Sequence, residues 1–366
     1  MNFDPKISDS FFFPRINLKI QNRTLLAAMT NMQSHDNGLL SDDEINWLLE
    51  RAKGGFGIIT TAATNVSKEG KAWNGEFGVF DDCQIPQLKK LTSSIHKTKS
   101  IILAQLFHGG IKSPQKITGS VPLSASVLDC NESNTGKSKS ASQEDIQKII
   151  DDFKNSAIRC YESGFDGIEL HGAHGYLISQ FLGKKTNLRK DEWGGNLKNR
   201  SRLLIEIFKS IRCSVPDDFI IGVRISPEID SLGIELNDSI KLVGILKDLE
   251  LDFIHLSCWD AFAKSKSFKN DNRTLTQIIT ESYEKLPTII STGNVWSSLD
   301  ANKLLKQGAD LVGVGRVAIG HPQWANNVSD LDYNPKRPPF STSELAKVKL
   351  NPTFINYMKN WNGFVK

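Results

Sequence analysis

Short apolar runs alternate with amphipathic stretches along almost the whole chain, and this alternation constrains the fold more than any other feature. Eight runs rich in β-branched residues predict strands, and the stretches between them predict helices. Several helices begin after a capping residue, such as Ser41 or Ser142, and Gly164 and Gly308 follow helix ends. The predicted strands are Thr24–Met29, Gly57–Ala62, Ile101–Phe107, Gly167–His171, Phe219–Ile225, Phe253–Ser257, Thr288–Thr292 and Leu311–Gly315. The predicted helices are Asp42–Lys53, Ile85–Lys97, Ser142–Ser163, Asn199–Arg212, Asn237–Leu249, Thr274–Lys285 and Ser298–Gln307.

Eight strands, each followed by a helix or a loop, is the number that closes a parallel barrel. The alternative is an open, doubly wound sheet, which usually has fewer strands and a G-x-G-x-x-G motif after the first. Here the first predicted strand runs into Met29-Thr30-Asn31-Met32 instead. We therefore expect an α/β fold, a (β/α)8 TIM barrel with extended βα-loops after its third and fourth strands.

Composition argues against several classes of partner. Lys and Arg number 45 against 41 Asp and Glu, and no dense basic cluster is present, so neither a nucleic-acid nor a membrane partner is expected. The five cysteines are scattered and none has C-x-x-C spacing, which indicates reduced thiols and no cysteine-bound metal. The segment Met1–Pro5 lacks the pattern of a signal peptide. These features together predict a cytoplasmic protein.

The strongest local signal is His171-Gly172-Ala173-His174-Gly175-Tyr176, at the end of the fourth predicted strand. The two imidazoles can converge on one point, and three interpretations remain open. They could bind a metal ion with Glu169, they could be structural, or they could donate hydrogen bonds to one substrate oxygen as it becomes negative. Tyr176 would be a proton donor in a dry pocket.

Several motifs together resemble the old yellow enzyme family of NAD(P)H-dependent flavin oxidoreductases. The resemblance covers roughly residues 15 to 322, and the motifs occur in the family's order. They are Asn22-Arg23 with Ala28-Met29-Thr30, Gln105-Leu106-Phe107-His108-Gly109, His171 to Leu182, Asn187 to Gly195, Asn199-Arg200-Ser201-Arg202, Val223-Arg224-Ile225 and Gly313-Val314-Gly315-Arg316.

The resemblance implies one FMN-binding TIM-barrel domain over residues 1–366, with the barrel at about 15–322 and a tail, 323–366, packed on it. It implies FMN as cofactor and NADH or NADPH as hydride donor. Hydride would pass through flavin N5 to a small-molecule acceptor: an activated alkene, a quinone, a nitro compound or free flavin. A homo-oligomer is possible. Two alternatives remain: a flavin-binding module that only shuttles electrons, and a metal-dependent barrel enzyme that uses Glu169, His171 and His174.

The resemblance also assigns cofactor contacts. Arg224 is a lone cation in an apolar strand, a costly placement unless an anion meets it, and Gln105 interrupts another apolar strand. Each has a simpler alternative, an ion pair with Glu169 for Arg224 and a satisfied core amide for Gln105. The implied flavin-ring contacts are Ala28, Met29, Thr30 at O4, the Ala62 N–H, Gln105 and Arg224. The implied phosphate contacts are Gly293, Asn294, Gly315 and Arg316. The implied catalytic residues are His171, His174 and Tyr176.

Overall fold

The computed structural model describes residues 5–366, so most of the Met1–Pro5 segment lies outside the described residues. Eight parallel strands close into a barrel, and each strand pairs with its neighbours in chain order. The ring closes where the first strand pairs with the eighth, Leu26 opposite Val314. The predicted (β/α)8 barrel is therefore confirmed. The barrel strands are Thr24–Leu26, Ile58–Asn65, Ile101–Phe107, Gly167–Gly172, Ile220–Ile225, Phe253–Ser257, Thr288–Thr292 and Leu311–Val314.

Three of these strands have the predicted bounds, and the second runs past its predicted end at Ala62 to Asn65. Its last two residues are polar but fully buried, and their side chains donate hydrogen bonds to backbone carbonyls. The Thr64 hydroxyl donates to the Ala62 carbonyl, and the Asn65 amide donates to the Ser67 carbonyl. A shift in register lies between Thr60 and Ala63. Apolar patterning could not show this extension.

The helices that cover the barrel follow the predicted segments, with two differences. The segment predicted as Asn199–Arg212 forms two helices that meet at Ser201. The segment predicted to end at Lys285 ends at Thr280, whose hydroxyl bonds the carbonyls of Thr276 and Gln307. The α-helices are Asp42–Lys53, Ile85–Ile95, Gln115–Thr118, Gln143–Glu162, Leu177–Leu182, Leu197–Arg200, Arg202–Arg212, Leu236–Leu246, Leu275–Thr280, Ser298–Lys306, Arg316–Gly320, Trp324–Asn327, Thr342–Lys347 and Pro352–Met358. Short 3-10 helices span Asp82–Gln84, Gly110–Lys112 and Asp230–Leu232.

One end of the barrel is closed by a β-hairpin that sequence patterning did not predict, because its strands have only three residues each. The strands are Phe11–Phe13 and Leu18–Ile20. Phe13 is fully buried and packs 6.5 Å from the ring of Phe253, within a small core cluster at the strand beginnings. The hairpin therefore leaves the carboxyl ends of the strands as the open rim.

The loops and the C-terminal residues build up that rim. Two short strands, Leu123–Ser124 and Lys139–Ser140, pair within the loop after the third barrel strand. The C-terminal helix contacts the first barrel helix where Phe354 meets Trp47 edge to face at 5.6 Å. Buried Arg51 donates to the carbonyl of Val348, which ties the same regions together. Within residues 5–366, every helix is too short or too polar to cross a bilayer.

Candidate active site

A cleft opens at the carboxyl ends of the barrel strands, where barrel enzymes place their chemistry. It brings together nearly every residue that the sequence analysis singled out. Ala62 is the exception, because at the second strand Ala63 lines the cleft instead. The Ala62 carbonyl accepts hydrogen bonds from the hydroxyls of Thr61 and Thr64. The other predicted residues that line the cleft are Ala28, Met29, Thr30, Gln105, His171, His174, Tyr176, Arg224, Gly293, Asn294, Gly315 and Arg316.

The two histidines lie together, with ring centroids 4.9 Å apart. His171 is buried, and its Nδ1 accepts the N–H of Ala173, which leaves its proton on Nε2. Burial, with His174 and Arg224 nearby, holds the pKa of His171 well below its usual range. His174 is held differently, because its Nε2 lies 2.7 Å from the Ser257 hydroxyl. A neutral His171 with a free Nε2–H is a hydrogen-bond donor for a substrate oxygen.

Tyr176 stands beside this pair in an aromatic cluster. Its ring meets His171 at 4.9 Å and Phe107 at 5.1 Å, both edge to face. Burial raises the pKa of Tyr176, so its phenol keeps its proton at neutral pH. The ammonium of Lys112 lies 4.9 Å from the ring centroid and donates to the His174 carbonyl. A protonated phenol thus lines the cleft next to His171, with a cation packed against its ring.

The burial and hydrogen bonds of Arg224 show whether the cleft suits an anionic ring system. It is only 5% exposed, and its Nη1 donates to the Ala28 carbonyl at 3.2 Å. Its Nε has no hydrogen-bond partner. Within residues 5–366, no carboxylate oxygen lies within 4.0 Å of its guanidinium, so the expected alternative of an ion pair with Glu169 is not formed. A buried guanidinium that lines a cleft and keeps an unpartnered N–H fits a ligand that carries negative charge.

Glu169 is bound inside the barrel by other partners. One carboxylate oxygen accepts from Gln105 Nε2 at 2.6 Å, and the other lies 2.6 Å from His255 Nδ1. Burial alone would raise the pKa of Glu169, but His255 and Arg224 more than offset it and lower that pKa. Burial lowers the pKa of His255. An ionised Glu169 therefore accepts from a neutral His255, whose Nε2 accepts from the Thr292 hydroxyl at 2.6 Å.

This hydrogen-bond network bears on two alternatives from the sequence, a metal site that includes Glu169 and a core-amide role for Gln105. Glu169 is not placed as a metal ligand with His171 and His174, and in the part of the chain described no three His, Cys, Asp or Glu side chains could hold a metal ion. The metal-dependent interpretation of these residues therefore has no geometric support. Gln105 is bonded as a core amide on its Nε2 but also lines the cleft. Since Nε2 is turned to Glu169, its carbonyl oxygen is available to accept a hydrogen bond.

The carboxyl ends of the sixth, seventh and eighth strands come close together, and glycine is required for this. A Cβ at Gly293 would lie 2.6 Å from the Cys258 carbonyl oxygen, and one at Gly313 would lie 1.9 Å from the Thr292 hydroxyl. Asn294, Gly315 and Arg316 complete this wall of the cleft. Backbone N–H groups and a cation around a small-residue turn suit a phosphate.

The cleft also contains residues that the sequence analysis did not identify. Ser257 ends the sixth strand and Trp259 lies just after it, positions that could have been recognised because strand ends face the rim. Tyr357, Met358 and Trp361 come from the C-terminal region, for which no local signal exists. Trp361 stacks on Trp259 at 6.2 Å, and the guanidinium of Arg316 lies 5.6 Å from the Trp259 ring.

Comparisons with known proteins identify the family to which the chain belongs. Residues 15–333 match the model of the NADH:flavin oxidoreductase / NADH oxidase family. The chain is 32% identical over 336 residues to the probable NADH-dependent flavin oxidoreductase YqiG of Bacillus subtilis, covering 89% of each chain. It is 32% identical over 319 residues to the NADH:acrylate oxidoreductase of Vibrio harveyi, covering 84% of this chain and 32% of that protein.

The old yellow enzyme homologue of Zymomonas mobilis has the same fold, with a TM-score of 0.81 and 24% identity over 96% of this chain and 98% of that one. The family match covers most of the chain. The chain therefore belongs to the NADH:flavin oxidoreductase / NADH oxidase family and is an NAD(P)H-dependent flavin oxidoreductase of the old yellow enzyme type, with FMN as its cofactor.

Proposed function

We propose that the chain passes hydride from NADH or NADPH to a small acceptor whose alkene is conjugated to a carbonyl or carboxyl group. Quinones, nitro compounds and free flavin are further acceptors of the same kind. The observation that carries the proposal is the buried Arg224 guanidinium with an unpartnered Nε, in the same cleft as a neutral His171 and a protonated Tyr176. One side of the cleft suits an electron-rich ring, and the other suits an acceptor that gains negative charge and then a proton.

The cofactor would be held by residues from several strand ends. Arg224 and the carbonyl oxygen of Gln105 would face the pyrimidine edge, and Thr30 would face the opposite edge with Ala28, Met29 and the Ala62 backbone. Gly293, Asn294, Gly315 and Arg316 would bind the phosphate. When bound, FMN supplies a ring that accepts hydride at N5 and returns it to an acceptor. The fixed charge of Arg224 would favour the reduced, anionic ring.

The acceptor oxygen would be bound by the two histidines. His171 offers its Nε2–H directly, while the Nε2 of His174 is bonded to Ser257 and would exchange that partner for the acceptor. Donors that are already oriented stabilise developing negative charge without reorganisation. Because burial keeps His171 neutral, it would polarise the acceptor as a hydrogen-bond donor and keep its proton.

Tyr176 would supply the proton to the carbon next to the one that receives hydride. Its phenol is protonated at neutral pH, and the Lys112 ammonium over its ring would stabilise the phenolate that proton donation leaves. The same ammonium, packed against a residue that lines the cleft, would add positive charge on the side where an unsaturated carboxylate binds, and one relative is named for its action on acrylate. We further propose that residues 1–366 form one FMN-binding domain that needs only small-molecule partners.

The test is a screen of acceptors with the FMN-loaded protein. Flavin reduction by NADH and by NADPH is followed by its absorbance, and the reduced protein is then mixed with an enone, acrylate, fumarate, a quinone and a nitro compound. We expect rapid reoxidation by at least one conjugated alkene with formation of the saturated product. Reduction by nicotinamide without turnover of any acceptor would contradict the proposal and favour the electron-shuttling alternative.

A further inference from the structure

A second cavity of about 880 Å³ lies on the same rim, between the loops that follow the first three barrel strands. We call it the lysine groove, after Lys68, Lys71 and Lys116, which line it. Its only acidic lining residues are Asp36 and Glu132, so the groove carries a positive excess. Its volume suits a nucleotide-sized ligand.

The positive charge of the groove is not neutralised by ion pairs. Among residues 5–366, no carboxylate oxygen lies within 4.0 Å of the ammonium groups of Lys68, Lys71 and Lys116. Lys71 is only 8% exposed, and its Nζ donates to the backbone carbonyl of Asp36 at 2.5 Å. The Asp36 carboxylate is turned to the Gly75 N–H. One nearly buried ammonium, that of Lys71, and two exposed ones, none of them in an ion pair, favour binding of an anion.

Glu76 is the remaining acidic group near Lys71. Burial raises the pKa of Glu76 well above its usual range, and Lys71 offsets only part of this effect. A protonated Glu76 does not neutralise the ammonium.

The groove begins next to the active-site cleft. Trp73 lines the groove and stacks on Phe107 at 5.4 Å, and its ring lies 6.4 Å from that of Tyr176, which lines the cleft. A nicotinamide that delivers hydride inside the cleft remains attached to its ribose, diphosphate and adenosine. These groups must extend out of the cleft along the rim. The lysine groove provides cations on that rim, and Trp73, which lines the groove, contacts Tyr176 of the cleft.

We propose that the lysine groove binds the diphosphate arm of the reduced nicotinamide dinucleotide, with the three ammonium groups on its phosphate oxygens. This inference rests on the proposed function, since it needs a nicotinamide as the hydride donor. The positive charge of the groove binds the diphosphate of the donor, while the cleft binds the nicotinamide ring. Binding therefore weakens as the ionic strength rises.

The first test separates the arm from the reacting ring. Flavin reduction is measured by stopped flow in the FMN-loaded wild type and in the double variant Lys68→Ala, Lys116→Ala, whose two side chains are exposed. The donors are NADH and N-benzyl-1,4-dihydronicotinamide, which lacks the diphosphate. We expect the double variant to raise the apparent Kd of NADH by roughly five- to tenfold, with little change in the limiting rate. Reduction by the benzyl compound should not change. Lys269→Ala, a basic residue of another cavity, is the matched control.

The second test measures binding without catalysis. ADP-ribose carries the diphosphate and the adenosine but no nicotinamide, and its binding is followed by calorimetry. We expect ADP-ribose to bind the wild type, because it contains the same diphosphate as NADH. Its Kd should be about tenfold higher in the double variant.

Three results would overturn the proposal. An unchanged Kd of NADH in the double variant, with normal flavin reduction, would exclude the groove while leaving the proposed function intact. An equal loss with the benzyl compound would place the effect on the reacting ring. A raised KM for an acceptor esterified to a nucleotide carrier, with NADH unaffected, would assign the groove to the acceptor. Wild type that no nicotinamide reduces would instead refute the proposed function itself.

Discussion

The Nδ1 atom of His255 lies 2.6 Å from a carboxylate oxygen of Glu169, and neither side chain is exposed to solvent. These residues are 86 positions apart in the chain and stand on the fourth and sixth barrel strands. The other oxygen of Glu169 orients Gln105, so one buried negative charge positions a cleft-lining amide and also interacts with the Arg224 cation.

Glu169→Gln should make reduction of the bound flavin easier. The substitution removes the negative charge that opposes Arg224, so the reduced, anionic ring is stabilised. At an effective dielectric constant of about 20, this corresponds to a rise of roughly 50 mV in the midpoint potential. The potential is measured by dye equilibration. Thr292→Ser keeps the hydroxyl that bonds His255 and should leave the midpoint potential unchanged. An unshifted potential in Glu169→Gln would argue against an effect of the Glu169 charge on the flavin.

Arg224→Ala should weaken FMN binding by roughly 10- to 100-fold, because charge-assisted hydrogen bonds to the ligand are lost. Binding is measured by titrating FMN into the apoprotein and following the quenching of flavin fluorescence. Arg224→Lys keeps the charge and should recover part of the affinity. Arg159→Ala, which removes a surface pair with Asp82, should bind FMN like the wild type. Full affinity in Arg224→Ala would show that this cation does not meet the cofactor.

Tyr176→Phe should separate the two halves of the reaction. Flavin reduction by NADH needs no proton from the phenol and should continue, whereas reduction of an enone should slow by about 10²–10⁴-fold. Stopped-flow measurements of each half give both rates. Tyr161→Phe, at an exposed tyrosine outside the cleft, is the control. Equal losses in both halves would mean that Tyr176 shapes the cleft and is not the proton donor.

The free energy of unfolding should depend on pH through the ionisation of Glu44. Burial raises its pKa from 4.5 to about 7, with Asn31 and Ser34 opposing that shift through their hydrogen bonds. Because the folded chain holds this proton more tightly than the unfolded chain, its contribution is complete below pH 4.5. It is lost as the pH rises through about 7. The loss is on the order of 3 kcal/mol.

Glu44→Gln should therefore unfold at higher denaturant concentration than the wild type at pH 8 and show a smaller gain, or none, at pH 5. Urea titrations at both values measure the difference. Glu50→Gln, at a half-buried position of the same helix, is the control. A gain of equal size at both pH values would mean that Glu44 stays ionised in the folded chain.

Much of the site could be predicted because strand ends and motifs are local. The apolar run that ends at His171 placed the histidine pair on the rim, and Tyr176 followed from its position in the family motif. The partner of Glu169 could not be found in this way. The sequence offered Arg224 and a metal ion as partners, yet the register of the barrel places Gln105 directly opposite Glu169 and His255 opposite Arg224.

The amino-acid sequence by itself determined the eight strands, the closed barrel and the rim on which the chemistry lies, since periodicity and capping act over a few residues. Tertiary structure alone decided which buried polar groups meet, because that choice depends on the stagger of strands far apart in the chain. It also brought Trp361 from the C-terminal region onto Trp259. Such a contact depends on the path of the whole chain, so no pattern near either tryptophan encodes it.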